Sequence, residues 1–158
     1  MKNIILLSTI GFIIGIGGAY FLWQSQFQGT NVTTGYGLDP LKCNLLEKAC
    51  VYDFNGQKLE IDLSPRPLQI MKKTKITIKG LNYDFYDAKV RVHGVNMDMG
   101  TIIASLNKVD DNTYETSVAL SACLVEDVMR YRIDLYDGNN SMNFHADFDL
   151  PNDMLDLK

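Results

Sequence analysis

The sequence predicts an all-β body, an antiparallel sandwich of immunoglobulin or cupredoxin-like type, preceded by one N-terminal transmembrane helix. Three observations predict it: an uncharged apolar run at the start, two-residue alternation through most of the rest, and turn-forming clusters that cut the alternation into short runs. At 158 residues the chain has room for one domain of ordinary size and a short extra element. Its 46% apolar and 22% charged residues lie near the globular average, which disfavours wholesale disorder and a multi-span transporter. The net charge of −4 opposes nonspecific attraction to phosphate backbones, so no nucleic-acid partner is expected.

The first element is the run Ile4–Trp23, interrupted only by Ser8, Thr9 and glycines. About 20 such residues, rising 1.5 Å each, cross a hydrocarbon core of roughly 30 Å. Lys2 precedes the run and no Lys or Arg follows before Lys42, so residues 1–3 are expected inside and the rest of the chain outside. Tyr20 and Trp23 suit the outer interface. A cleaved secretory signal is the rival reading, but Tyr20, Phe21, Leu22 and Trp23 extend the apolar run past the small residues Gly17, Gly18 and Ala19. Gly11 and Gly15 form a GxxxG spacing that suits close helix approach or simple packing freedom.

Residues 24–42 are rich in Gln, Gly, Thr and Asn and read as a flexible tether. The exported domain is expected over 43–151, the size of a small sandwich, with a frayed tail at 152–158. Leu59, Ile61 and Leu63 alternate with polar neighbours, as do Ile76 and Ile78, then Ala88, Val90 and Val92. The pattern returns at Tyr114–Leu120, Met129–Leu135 and Met142–Leu150. Asn55-Gly56, Ser64-Pro65-Arg66-Pro67, Asp110-Asp111-Asn112 and Asp137-Gly138-Asn139-Asn140 mark turns between runs. About eight short strands with no interleaved helical pattern make an antiparallel sandwich.

Three cysteines lie beyond the apolar run, and an oxidising compartment makes a disulfide plausible. Cys43 with Cys50 closes a short loop worth about 2.5 kcal/mol by chain entropy. Pairing either with Cys123 is the long-range alternative, and three free thiols the third.

The segment His93-Gly94-Val95-Asn96-Met97-Asp98-Met99-Gly100 is the richest in candidate ligands. Continued as a strand, it puts His93, Met97 and Met99 on the parity opposite to Val90 and Val92, so all three leave the core together. Thioethers are soft, neutral ligands that suit Cu(I), and Cys123 or Met129 would complete such a site if the later strand lies alongside. Against this, methionine fills gaps well, and bulges at Gly94 or Gly100 would turn either side chain back into the core. Met129 and Met142 fall in phase with core positions, and His145 is expected to face solvent.

The series Cys43-x6-Cys50, Ser64-Pro65-Arg66-Pro67, Gly94-Val95-Asn96-Met97-Asp98-Met99-Gly100 and Cys123-x5-Met129 resembles a group of small single-span bacterial proteins with an exported G-V-x-M-x-M-G β domain. It is more distantly similar to YtkA-like and FixH-like exported domains. That resemblance implies metal handling beside haem-copper oxidase assembly, with an oxidase subunit or a copper chaperone of Sco type as partner. It also implies a single-pass protein of the bacterial inner membrane, with its amino terminus cytoplasmic and its domain periplasmic. Carried over by position, it supports Met97 and Met99 first and Cys123 second, with His93 the weakest member of the metal set.

Catalysis finds no support. There is no GxSxG, HExxH or Cys-x-x-Cys, and the two histidines have no recognisable partner acid in sequence. The chain is therefore expected not to be an enzyme. Two classes remain: an anchored module that binds or delivers copper, and a metal-free accessory domain that docks on a membrane complex.

Overall fold

A computed structural model describes residues 38–121 and 127–151. The apolar run at 4–23, most of the tether, Cys123 and the tail from 152 lie outside the described residues, so the anchor reading is not placed. No helix among the described residues is long and apolar enough to cross a membrane. A compact unit begins at Leu41.

The body is all-β. Its strands are β1 (Cys50–Phe54), β2 (Gln57–Ser64), β3 (Lys73–Lys79), β4 (Ala88–Gly94), β5 (Thr101–Ser105), β6 (Asn107–Asp110), β7 (Thr113–Ala119), β8 (Val128–Asp137) and β9 (Asn140–Pro151). They form a five-stranded sheet in the order β1-β2-β3-β7-β6 and a four-stranded sheet in the order β5-β4-β8-β9, with every ladder antiparallel. Alternation sets which faces meet. Leu59, Ile61, Leu63, Ile76 and Ile78 from one sheet, and Val90, Val92, Ile133, Leu135, Phe148 and Leu150 from the other, are at most 1% exposed. Met129 is sealed in the same core, as its phase predicts, and His145 is exposed.

Where alternation breaks, the chain changes sheet. β5 edges the four-stranded sheet and β6 edges the five-stranded one, with only Leu106 between them. The Leu106 side chain is buried at the corner, and its N–H donates to the Ala88 carbonyl at 2.8 Å. The switch divides one sequence stretch into two short edge strands, and β1 also forms outside the clearest alternating runs. The described residues therefore hold nine strands where about eight were expected.

The antiparallel order sorts the connections to two ends. One end carries the Asn55-Gly56 turn, the β3–β4 connection, the turn after β6 and the Gly138-Asn139 turn. The other carries the entry of the chain, the β2–β3 loop, the β4–β5 loop and the exit of β9. At that entry Cys43 and Cys50 are joined in a disulfide with Cα atoms 6.0 Å apart. Of the three cysteine arrangements left open by the sequence, this is the short staple onto β1. Arg66, in the β2–β3 loop, reinforces it by donating to the Leu45 carbonyl at 3.3 Å and pairing with Asp62 at 2.5 Å.

Candidate functional site

The candidate ligands His93, Met97 and Met99 sit in and around the β4–β5 loop, and the chain there does not continue the strand. Pairing of β4 with β8 runs as far as Gly94 opposite Tyr131, and Val95 N–H still donates to the Arg130 carbonyl at 2.7 Å. Asn96 then replaces backbone pairing with its side-chain amide. Its Nδ2 donates to the Val128 carbonyl at 2.8 Å, and its Oδ1 accepts from Arg130 N–H at 2.9 Å. The chain turns back at Asp98, whose Oδ1 accepts from Gly100 N–H at 2.9 Å, and Gly100 takes a φ of 80° that suits glycine. Gly94 is required for a different reason. A Cβ there would lie 2.1 Å from the Met97 carbonyl oxygen, so the loop closes directly on its α-carbon.

Four residues of the motif thus have backbone tasks: Gly94 admits close approach, Asn96 bridges to β8, Asp98 turns the chain and Gly100 leaves the turn. Met97 and Met99 are the long side chains the loop carries between them. Each is half-buried and packs against the hydrophobic core. The expected common parity of His93, Met97 and Met99 therefore does not hold, because the turn after Gly94 resets it. β8 does lie alongside, and the Met129 methyl comes within 3.5 Å of the same Cβ position at Gly94 that the Met97 carbonyl crowds. The Met97 backbone carbonyl and the Met129 methyl therefore both lie against Gly94, while Cys123 lies outside the described residues.

His93 is placed elsewhere. It ends the outer row of β4, opposite Thr101 and Arg132, and its Nδ1 is buried 3.5 Å from Asp134 Oδ2 without a hydrogen bond. Asp134 is itself only 9% exposed, and Arg91 donates to its Oδ2 through Nε and Nη2 at 3.1 and 2.8 Å. His145 is the β9 register partner of the same carboxylate. Both histidines therefore flank Asp134 on the outer face of the four-stranded sheet, away from the core against which the methionines pack.

That face is a ladder of paired charges. Arg130 and Asp149 meet in a two-pronged pair at 2.7 and 2.8 Å, and Arg132 and Asp147 repeat the geometry at the same distances. Donating to the Asp147 carboxylate pushes the Arg132 pKa up. An open depression of about 200 Å³ beside the ladder is lined by Lys89, Arg91, Ile103 and Tyr136. Both of its cations are already engaged, Lys89 with Asp87 and Arg91 with Asp134 over the Tyr136 ring.

Among the described residues, no three His, Cys, Asp or Glu side chains gather in a way that could hold a metal ion. The β4–β5 loop carries two thioethers, Met97 and Met99, both packed against the hydrophobic core. The sequence left open that Gly94 resets the parity and turns the methionines back toward the core; it did not signal Asn96, whose side chain bridges to β8. The available clue was the spacing of two glycines and an Asn around the methionines.

Comparison with protein families, with curated proteins and with solved structures gives no match to this chain.

Proposed function

We propose that this protein is a membrane-anchored, exported β-sandwich of immunoglobulin or cupredoxin-like type that binds Cu(I) through thioethers of the β4–β5 loop and passes it on within haem-copper oxidase assembly. The observation that carries the reading is the loop's construction. Its non-methionine residues are committed to backbone geometry, and the two methionine side chains it carries are half-buried against the core. A preorganised loop binds without first bearing the entropy of ordering itself. Thioethers favour Cu(I) and need no deprotonation, so binding is expected to persist at mildly acid pH. The anchor read from Ile4–Trp23 keeps the domain beside membrane partners, an oxidase subunit or a copper chaperone in this reading.

The test is a Cu(I) titration of the full chain in detergent, under reducing conditions, against a competing chelator. Wild type is expected to retain metal at chelator levels that strip the Met97→Leu/Met99→Leu double variant, with at least a tenfold difference in affinity. Equal affinity of the two proteins would overturn the metal reading.

A second reading is favoured by the same half-exposed methionines. Polarizable, adaptable side chains also make protein contacts. In that case the loop docks a membrane partner without metal, and the double variant loses co-purification of that partner while Cu(I) affinity is unchanged.

A further inference from the structure

We propose that Asn139 is an acceptor for N-linked glycosylation, receiving an oligosaccharide from a polyprenyl-pyrophosphate carrier on the outer side of the membrane. The inference rests on the exported reading of the domain.

Asn139-Asn140-Ser141 is an Asn-x-Ser sequon, in which the amide receives the sugar and the hydroxyl two residues on is read by the transferase. Such a motif works only where the chain is accessible, and the β8–β9 hairpin supplies that. Asp137 pairs with Asn140, which leaves Gly138 and Asn139 as the two central residues of the turn. Gly138 has a φ of 60°, as the first residue of a II′ turn requires, and Asn139 takes the second corner in an ordinary conformation. Asn139, Asn140 and Ser141 are exposed, and neither amide side chain has a hydrogen-bond partner among the described residues. The Ser141 oxygen accepts from Asn143 N–H at 3.2 Å, so its hydroxyl proton is still available to donate. Nothing stands beside the turn either, because a Cβ at Gly138 would meet no atom within 4 Å.

The tip is also the part of the ladder that opens most readily. Regular β8–β9 pairing breaks between Asp134 and Tyr136, and Asn143 opposite the break takes a φ of 54°. Beyond it lie the Tyr136–Ser141 and Asp137–Asn140 pairs, so opening of the acceptor segment stops short of buried Phe144. The preceding residues are held instead. Asp137 Oδ1 accepts from Asp87 N–H, and Gly138 N–H donates to the Asp87 carbonyl, both at 2.8 Å. The second Asp137 oxygen has no partner among the described residues, and it presents a charge two residues before the acceptor. A transferase with a cation in its acceptor groove would read that charge. The other sequon of the chain, Asn31-Val32-Thr33, has Gly29 at the corresponding position.

In the transfer, Asn139 Nδ2 loses a proton to a base of the transferase and bonds to the anomeric carbon of the first sugar. The bond from that carbon to the pyrophosphate oxygen breaks, and polyprenyl pyrophosphate leaves with the electron pair.

The experiment expresses the full chain in a bacterial host that carries an oligosaccharyltransferase and its polyprenyl-linked oligosaccharide, and in one whose transferase is inactive. Intact mass and peptide mapping read the product. Free thiols in denatured, unreduced chain report export, because the Cys43–Cys50 bond forms only in an oxidising compartment. With active transferase alone, the chain is expected to gain the mass of one oligosaccharide on Asn139. Asn139→Gln and Ser141→Ala should abolish the gain, Ser141→Thr should keep it, and Asn31→Gln should leave it unchanged. Asp137→Asn, which retains an acceptor for Asp87 N–H, should slow modification at least about tenfold. A chain with one free thiol and no added mass overturns the modification and leaves export standing. Three free thiols and no added mass overturn export, and the proposal falls with it. Added mass that persists in Asn139→Gln overturns the assignment to this turn.

Discussion

Gly94→Ala is the sharpest probe of the β4–β5 loop. Gly94 does not have a positive φ, so backbone propensity alone predicts a small effect. The structure predicts a large one. The new methyl would lie 2.1 Å from the Met97 carbonyl oxygen, more than 1 Å inside ordinary contact, and the obstacle is backbone rather than a side chain that can rotate away. Relief requires the loop to lift, which strains both Asn96 bonds to β8, at 2.8 and 2.9 Å. Each bond holds a partly buried group and contributes about 1.5 kcal/mol, the upper end of the usual range. The total is about 3 kcal/mol, or a fall in melting temperature of roughly 10 °C or more for a domain of this size. Gly100→Ala is the control, because Gly100 has φ 80° with open space around its Cβ position and should cost only about 1 kcal/mol. Urea unfolding of both variants measures the difference. If Gly94→Ala costs no more than Gly100→Ala, the close approach described for the loop is wrong. Gly94→Ala should also weaken Cu(I) retention, since the methionines would lose their frame.

Two further outcomes follow from the staple and from an interior phenol. Thiol titration of denatured, unreduced chain should find one thiol, rising to three after reduction, and reduction should lower folding stability by about 2.5 kcal/mol in urea titrations; unchanged stability would show that the loop is already ordered without the bond. Burial, and secondarily the charge of Asp147, raises the Tyr52 pKa above its ordinary value near 10. The neutral phenol is therefore favoured in the folded state: its contribution is fully present below pH 10 and is lost as pH rises through the folded pKa. Tyr52→Phe keeps the edge-on packing against Phe144 and should flatten the alkaline arm of the stability profile above about pH 10; parallel curves for the two proteins would refute this assignment.

The sandwich was legible because half-buried strands write their two faces directly into the sequence. Leu59, Ile61 and Leu63 could occupy one face in only one way, and the same holds for Met129, Ile133 and Leu135. β5 and β6 were not legible, because Ile102, Ile103 and Leu106 belong to a stretch whose parity is reset by a change of sheet rather than by a turn signal. The candidate site failed to follow parity for a related reason. After Gly94 an Asn side chain imitates the missing strand, and alternation has no symbol for that. The approach of the Met97 carbonyl and the Met129 methyl to Gly94, and the placing of His93 beside Asp134, depend on contacts between β4 and β8 that are more than 30 positions apart in the chain.

Because the polypeptide both enters the sandwich and leaves β9 on the same side, the Asn55-Gly56 turn is the place to attach a reporter. A fluorescent protein or affinity tag spliced there projects from the far pole, clear of the methionine loop, and leaves Asn139 in place. Labels fused beyond Pro151 start from the crowded side instead. Localisation or capture studies that rely on them would perturb the surfaces under study.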